Sequence, residues 1–152
     1  ERGNPLGMLN LGVMYKYGDG VEQSYEKSFE MYSRAAGLGN SAAQANLAEF
    51  YERGTGVEAD PARASEWYVR AADNGNVDSM LKVAKRYLSG IGLPVDRPAA
   101  YTYLLLYKAF STSDAPKIAA LMVKFGELLT PGQIAEAEQR AAALWRTITG
   151  IQ

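Results

Sequence analysis

The 152-residue chain contains neither cysteine nor histidine. Without cysteine it cannot form disulfide bonds or use thiolates as nucleophiles or metal ligands, and without histidine it lacks the usual general base at neutral pH. No apolar run approaches the ~18 residues that a membrane-spanning helix needs. The net charge of -1 also lacks the basic surplus typical of nucleic-acid-binding proteins. We therefore expect no metal, no cofactor, no membrane insertion and no nucleic-acid partner.

The sequence does contain a repeat with a period of 36 residues. The positions that agree between the first two copies are Asn10 and Asn46, Leu11 and Leu47, Tyr15 and Tyr51, Gly18 and Gly54, Tyr32 and Tyr68, and Ala35-Ala36 and Ala71-Ala72. A third copy is more divergent and keeps Ala84, Tyr87, Gly90 and Asp96. Self-similarity at a fixed period is typical of architectures built from stacked structural units.

Each copy is predicted to form two helices joined by a glycine turn. The face of the first helix that should be buried in the second copy carries Ala43, Leu47, Ala48 and Tyr51. Gly54 and Gly56 should end this helix, because glycine readily adopts a positive φ. The second helix should start at a capping residue, and Ser24, Asp60 and Asp96 share that position. Its expected packed face carries Ala64, Trp67, Tyr68, Ala71 and Ala72, and Gly75-Asn76 should end it.

A small residue occupies the same first-helix position in every copy, namely Gly12, Ala48 and Ala84. A side chain no larger than a methyl group lets two helix backbones approach closely, while neighbouring aromatic rings fill the space beside them. We expect this position to be buried between the two helices of each copy.

The period divides the chain into five segments. Residues 1–4 are expected to be the tail of a preceding repeat, so the chain is part of a longer array or begins in a degenerate copy. Repeat 1 covers 5–40, repeat 2 covers 41–76, a degenerate repeat 3 covers 77–112, and C-terminal capping helices cover 113–152. The first helices of repeats 1 and 3 should span 5–17 and 77–89, and their second helices 24–38 and 97–110. An uncapped N-terminal end would allow weak self-association.

The C-terminal segment breaks the period and shows two helix starts. Ser113-Asp114-Ala115-Pro116 should open a helix that runs to about Phe125, and Thr130-Pro131 should open another that runs to about Thr149. The apolar stripe of this last helix comprises Ile134, Ala137, Ala141, Leu144, Trp145 and Ile148. One apolar stripe among polar faces is what a terminal cap of a repeat array requires.

The spacing of these residues resembles the Sel-one-like repeat family, a relative of the tetratricopeptide repeat. The likeness covers residues 3 to about 109 and weakens in repeat 3, where Tyr103-Leu104 replaces the Trp67-Tyr68 pair. It implies an all-α fold, a right-handed superhelix or solenoid of three helix pairs followed by capping helices. It also implies a non-catalytic protein–protein interaction or adaptor module in a bacterial regulatory or scaffolding role. A periplasmic or secreted location is favoured over a cytoplasmic one by the resemblance alone.

In tetratricopeptide relatives, the first helices line a concave face that binds an extended peptide. The corresponding positions here are Asn10, Val13, Met14 and Tyr17 in repeat 1; Asn46, Glu49, Phe50 and Arg53 in repeat 2; and Lys82, Lys85, Arg86 and Ser89 in repeat 3. The asparagines could clamp a peptide backbone or instead hydrogen-bond to a neighbouring repeat. The basic residues could receive an acidic or C-terminal segment or simply form a solvated face.

Other functional hypotheses have less support in the sequence. Gly18-Asp19-Gly20 lacks the third glycine and the preceding strand of a dinucleotide-binding loop. Glu49 and Glu52 lie three residues apart, but nothing indicates the two different environments that a glycan-acting pair of carboxylates needs. The aspartates at positions 19, 60 and 96 are better explained as turn and cap residues than as metal ligands. The alternative to an interaction module is an architectural spacer or a self-assembling array within a larger protein.

Overall fold

The protein is described by a computed structural model that covers residues 3–111 and 115–151. These residues form eight α-helices and no strand, which confirms the all-α prediction. The helices are α1 (Pro5–Tyr17), α2 (Tyr25–Gly37), α3 (Ser41–Arg53), α4 (Pro61–Asp73), α5 (Val77–Ser89), α6 (Arg97–Phe110), α7 (Ala115–Gly126) and α8 (Pro131–Thr149).

The predicted capping residues start the second helix of each repeat. The Ser24 side chain accepts a hydrogen bond from the backbone N–H of Lys27 at 3.2 Å. The Asp60 carboxylate accepts from two backbone N–H groups at 3.0 Å each, and that of Asp96 accepts from one at 2.8 Å. Each bond satisfies a backbone donor that the first helical turn cannot pair internally. Thr130 forms a full capping box at the start of α8, whereas the predicted start at Ser113-Asp114 lies outside the described residues.

The Gly-Asn pairs have a second role that the sequence interpretation missed. Asn40 follows the end of α2 and also starts α3. Its side chain accepts a hydrogen bond from the Ala43 N–H at 2.8 Å and so caps α3. Asn4 caps α1 in the same way, accepting from the Leu6 N–H at 3.0 Å. The Gly39-Asn40 pair therefore closes α2 and opens α3, which keeps the connection between repeats 1 and 2 very short.

The chain divides into two compact units, unit 1 (Glu1–Asn76) and unit 2 (Val77–Gln152). In unit 1, α1 packs on α2, α2 on α3, and α3 on α4. The residues predicted for the core of repeat 2 are buried, with Ala43, Ala64 and Tyr68 fully inaccessible. The exception is Trp67, which lies at the edge of the packed face and is only partly buried. Its ring is covered on the outside by the Arg70 guanidinium, 4.5 Å from the ring centroid.

The small-residue position lies where it was expected. Gly12, Ala48 and Ala84 are all buried in their first helices. In repeat 1 the approach is closest, because a Cβ atom on Gly12 would lie 2.6 Å from Cε1 of Tyr32 on α2. The ring of Tyr32 thus occupies the volume that any side chain at position 12 would need.

In unit 2, α6 is the central helix and contacts α5, α7 and α8. Its buried residues include Leu104 and Leu106, and α5 contributes Met80 and Val83 to the core. The Thr102 hydroxyl lies between α6 and α8, where the carbonyls of Pro98 and Ala137 accept from it at 3.0 Å and 3.3 Å. The α8 stripe therefore faces α6, as expected for a capping helix.

Candidate partner-binding surface

The candidate residues of repeat 1 lie on one exposed face of α1. Tyr17 is 68% exposed and Val13 37%, Asn10 is exposed, and Met14 is half-buried. Asn10 forms no hydrogen bond with its side chain among the described residues. Four residues spaced at 10, 13, 14 and 17 share one side of an α-helix, so they form one continuous surface of α1.

The candidate residues of repeat 2 divide between surface and core. Asn46 and Glu49 are half-buried and Arg53 is exposed. Within the part of the chain that the structure describes, neither the Asn46 amide nor the Arg53 guanidinium has a hydrogen-bond or ion-pair partner. Glu49 forms an ion pair with Lys16 of α1 across a distance of 3.5 Å, which links the two first helices of unit 1.

The prediction that Phe50 points outward is wrong, because its side chain is only 1% exposed. Its ring packs against three aromatic rings of α2, those of Tyr25, Phe29 and Tyr32, at centroid distances of 6.4, 6.4 and 5.4 Å. The sequence interpretation considered only the face of α3 that contacts α4. A first helix inside a repeat array also contacts the second helix of the preceding repeat, and Phe50 lies on that side.

A cavity of about 260 Å³ opens between the C-terminal ends of α1 and α3, and we call it the α1–α3 pocket. Its lining residues are Lys16, Tyr17, Gln23, Tyr25, Glu49, Phe50, Arg53 and Thr55. Tyr17, Glu49, Phe50 and Arg53 were predicted as site residues, whereas Lys16, Gln23, Tyr25 and Thr55 were not. One period after Lys16, Gln23 and Tyr25 the sequence has different residues, and Thr55 aligns with Asp19, so periodicity gave no signal for these positions.

The candidate residues of unit 2 lie on α5. Lys85 and Ser89 are exposed and Lys82 is half-buried. The prediction that Arg86 points outward is wrong, because it is 6% exposed and its guanidinium donates to the Ile91 carbonyl at 3.4 Å. Arg86 stands one period after Phe50, so the same buried position is occupied by an arginine in repeat 3. The exposed positive charge of this helix is therefore smaller than the sequence suggested.

Carboxylates considered for catalysis or for metal binding make structural contacts. Glu52 accepts a hydrogen bond from the Tyr68 hydroxyl at 2.9 Å, and Asp60 and Asp96 are helix caps. Across residues 3–111 and 115–151, no group of three or more acidic side chains is arranged to hold a metal ion. In the same ranges, no helix has the length and apolarity needed to cross a membrane.

Comparison with known proteins matches this architecture to one family. The Sel1 repeat matches at residues 5–40, 41–76 and 77–106. No curated protein matches the chain significantly. Among solved structures, a Sel1 repeat protein from Oxalobacter formigenes superimposes with a TM-score of 0.75 at 28% identity, over 80% of this chain and 49% of that one.

A second structural neighbour is a protective antigen present in uropathogenic Escherichia coli strains, which displays an SLR fold. It superimposes with a TM-score of 0.74 at 23% identity, over 99% of this chain and 33% of that one. Both neighbours are bacterial, in agreement with the bacterial source that the resemblance implies. The chain therefore spans about half of one solved relative and a third of the other.

These likenesses establish the α-solenoid fold of helix pairs. Sel1 repeats are in general non-catalytic modules for protein–protein interaction. Since the three family matches together cover more than half of the sequence, the chain belongs to the Sel1 repeat family.

Proposed function

We propose that the chain is a non-catalytic interaction module that binds a partner peptide or protein through the exposed faces of its first helices. This face corresponds to the concave face of related solenoids, and the role is regulatory or scaffolding in a bacterium. The observation that carries the proposal is the pair of asparagines on α1 and α3, one period apart, whose amides have no hydrogen-bond partner among the described residues.

A side-chain amide offers both a donor and an acceptor, which is the pattern that a peptide backbone requires. The competing explanation was that Asn10 and Asn46 bond to a neighbouring repeat. Since neither amide makes such a bond within unit 1, both remain available to a ligand. Tyr17 and Val13 add exposed apolar surface beside them, and tyrosine is enriched at protein interfaces.

In unit 2, Lys85 and Lys82 of α5 supply a second surface, suited to an acidic segment or a terminal carboxylate. Arg86 takes no part in this surface because it is buried. Net positive charge of this kind mainly affects the association rate and its dependence on salt.

Selection from a random peptide library against the immobilised chain tests the proposal. Selected peptides should bind the wild type and lose about tenfold or more in affinity for the Asn10→Ala/Asn46→Ala double variant, because two amides together make up to four hydrogen bonds of ~0.5–1.5 kcal/mol each. The matched control is Gln139→Ala, which removes an exposed amide from α8.

Recovery of no binding peptide, or equal affinity for the double variant, would contradict the proposal. Light scattering at several protein concentrations gives the complementary result. If the chain selects no peptide and its apparent molecular mass rises with protein concentration, the self-assembling array would be favoured instead.

A further inference from the structure

We propose that the α1–α3 pocket binds an aromatic side chain of the partner together with a carboxylate on an adjacent partner residue. The inference rests on the proposed function, because it assigns a partner chemistry to one part of the same face. It concerns unit 1 only and involves residues that the repeat pattern does not explain.

The size of the pocket points to a single side chain. Its volume of about 260 Å³ lies below the ~300–1,000 Å³ that is usual for small-molecule and cofactor sites. The pocket opens onto the surface beside Tyr17, which is 68% exposed. A residue that projects from a bound peptide can therefore enter without any movement of the helices.

Three of the eight residues that line the pocket are aromatic. Phe50 forms the buried floor, while Tyr17 and Tyr25 are 68% and 41% exposed. Aromatic rings prefer edge-to-face or offset contacts with other rings, which stabilise the pair beyond the gain from burial. The rings of Tyr25 and Phe50 already adopt such an edge-to-face arrangement at 6.4 Å, and an incoming ring can extend it.

The charges of the pocket favour an anion beside the incoming aromatic ring of the partner. Lys16 is neutralised by Glu49 at 3.5 Å, and its ammonium lies 5.3 Å from the Tyr17 ring centroid. Arg53 carries the remaining charge, and its exposed guanidinium has no ion-pair partner within residues 3–111 and 115–151. A guanidinium can bind a carboxylate through two parallel hydrogen bonds, so a neighbouring aspartate or glutamate of the partner completes the site.

The pocket is held in shape before any ligand binds. The Gln23 amide donates to the Lys16 carbonyl at 2.8 Å and to the Tyr25 hydroxyl at 3.2 Å. One side chain therefore ties the last turn of α1 to the first residue of α2 and holds the Tyr25 hydroxyl. Preorganisation of this kind reduces the entropy that binding would otherwise lose.

The pocket residues depart from the repeat pattern. One period after Tyr17, Gln23 and Tyr25 the sequence has Arg53, Ala59 and Pro61. Repeat 2 forms the same two helices without these aromatic and amide groups. The helix pair of a repeat therefore does not require them, which leaves these side chains free to differ between repeats and to serve recognition in repeat 1.

Fluorescence anisotropy with defined peptides tests the proposal. The probe is a fluorescein-labelled peptide with a central Asp-Phe-Asp segment in a Gly-Ser context, together with versions in which the Phe is replaced by Ala or both Asp by Asn. The proteins are the wild type, Tyr17→Ala, Arg53→Gln and the control Arg34→Gln, which makes the same charge change at an exposed position of α2. Thermal melts establish that each variant is folded.

We expect the parent peptide to bind the wild type and Arg34→Gln equally well. Tyr17→Ala, Arg53→Gln and either change in the peptide should each weaken binding about tenfold, and Arg53→Gln should also reduce the dependence on salt. No binding of the parent peptide to the wild type, or unchanged binding to both pocket variants, would overturn the proposal. Library peptides that need Asn10 and Asn46 but not Tyr17 or Arg53 would overturn this inference and leave the proposed function standing.

Discussion

Repeats 1 and 2 have the same helices and place a fully buried tyrosine at the same position, but they treat its hydroxyl differently. The Tyr68 hydroxyl donates to the Glu52 carboxylate at 2.9 Å. The Tyr32 hydroxyl is buried beside Ser28 of the same helix and makes no hydrogen bond of good geometry among the described residues. One period before Glu52 the sequence has Lys16, whose ammonium pairs with Glu49. The repeat pattern therefore determines where the tyrosine side chain lies, whereas residues that do not repeat determine the hydrogen bonding of its hydroxyl.

The two repeats also differ in the space beside that tyrosine. Repeat 2 has Ala48 in its first helix where repeat 1 has Gly12, and the Tyr32 ring fills the position of the missing methyl group. In addition, the buried Ser28 hydroxyl donates to the Gly12 carbonyl at 2.7 Å, at a position where repeat 2 has Ala64. Repeat 1 thus combines a tighter contact between α1 and α2 with the unpaired hydroxyl of Tyr32. Three measurements can separate the effects of these two features on stability.

The largest effect is expected from Gly12→Ala. Its new Cβ would lie 2.6 Å from Tyr32 Cε1, so the ring or α2 must shift, and the free energy of unfolding should fall by about 1–3 kcal/mol. The control is Gly7→Ala in the same helix, where the nearest atoms lie 3.8 Å away. It should raise stability by up to about 1 kcal/mol, since alanine favours the helix over glycine. Urea unfolding curves measure both, and a loss of equal size in both variants would show that the contact with Tyr32 is not its cause.

This contrast also shows how much of the molecule could be predicted from sequence. Helix starts and ends were predictable because they depend on local chemistry, such as the Asp60 carboxylate and the Gly54 backbone. The burial of Ala48 followed from its period. Phe50 and Arg86 were wrongly predicted to be exposed, because their burial depends on elements other than the partner helix of the same repeat. The α1–α3 pocket was missed for a related reason, since it combines residues of α1, α2 and α3 with Gln23 and Thr55, which differ from their counterparts one period away.

A smaller effect, opposite in the two repeats, is expected when each hydroxyl is removed. Tyr68→Phe loses a hydrogen bond to the Glu52 carboxylate, which is exposed to the screening solvent, so the free energy of unfolding should fall by about 0.5–1.5 kcal/mol. Tyr32→Phe removes a buried hydroxyl that has no partner in the described structure, so stability should stay unchanged or rise by up to about 1 kcal/mol, because the desolvation cost of the hydroxyl is relieved. Urea unfolding of the two variants at neutral pH makes the comparison. A clear loss of stability in Tyr32→Phe would show that the hydroxyl is satisfied after all.

The smallest effect concerns alkaline pH. Burial raises the pKa of Tyr32 from 10.0 to about 12, because the charged phenolate is disfavoured away from water. Below pH 9 both the folded and the unfolded chain hold this proton, and Tyr32 adds no pH dependence. As the pH rises through 10, the unfolded chain releases the proton and the folded chain keeps it, so stability falls. The loss is about 0.4 kcal/mol at pH 10, where half of the unfolded tyrosine is ionised, and it grows until the folded pKa is reached. The difference in unfolding free energy between Tyr32→Phe and the wild type should therefore widen from pH 8 to pH 10.5, and a constant difference would show that the Tyr32 hydroxyl titrates normally in the folded protein.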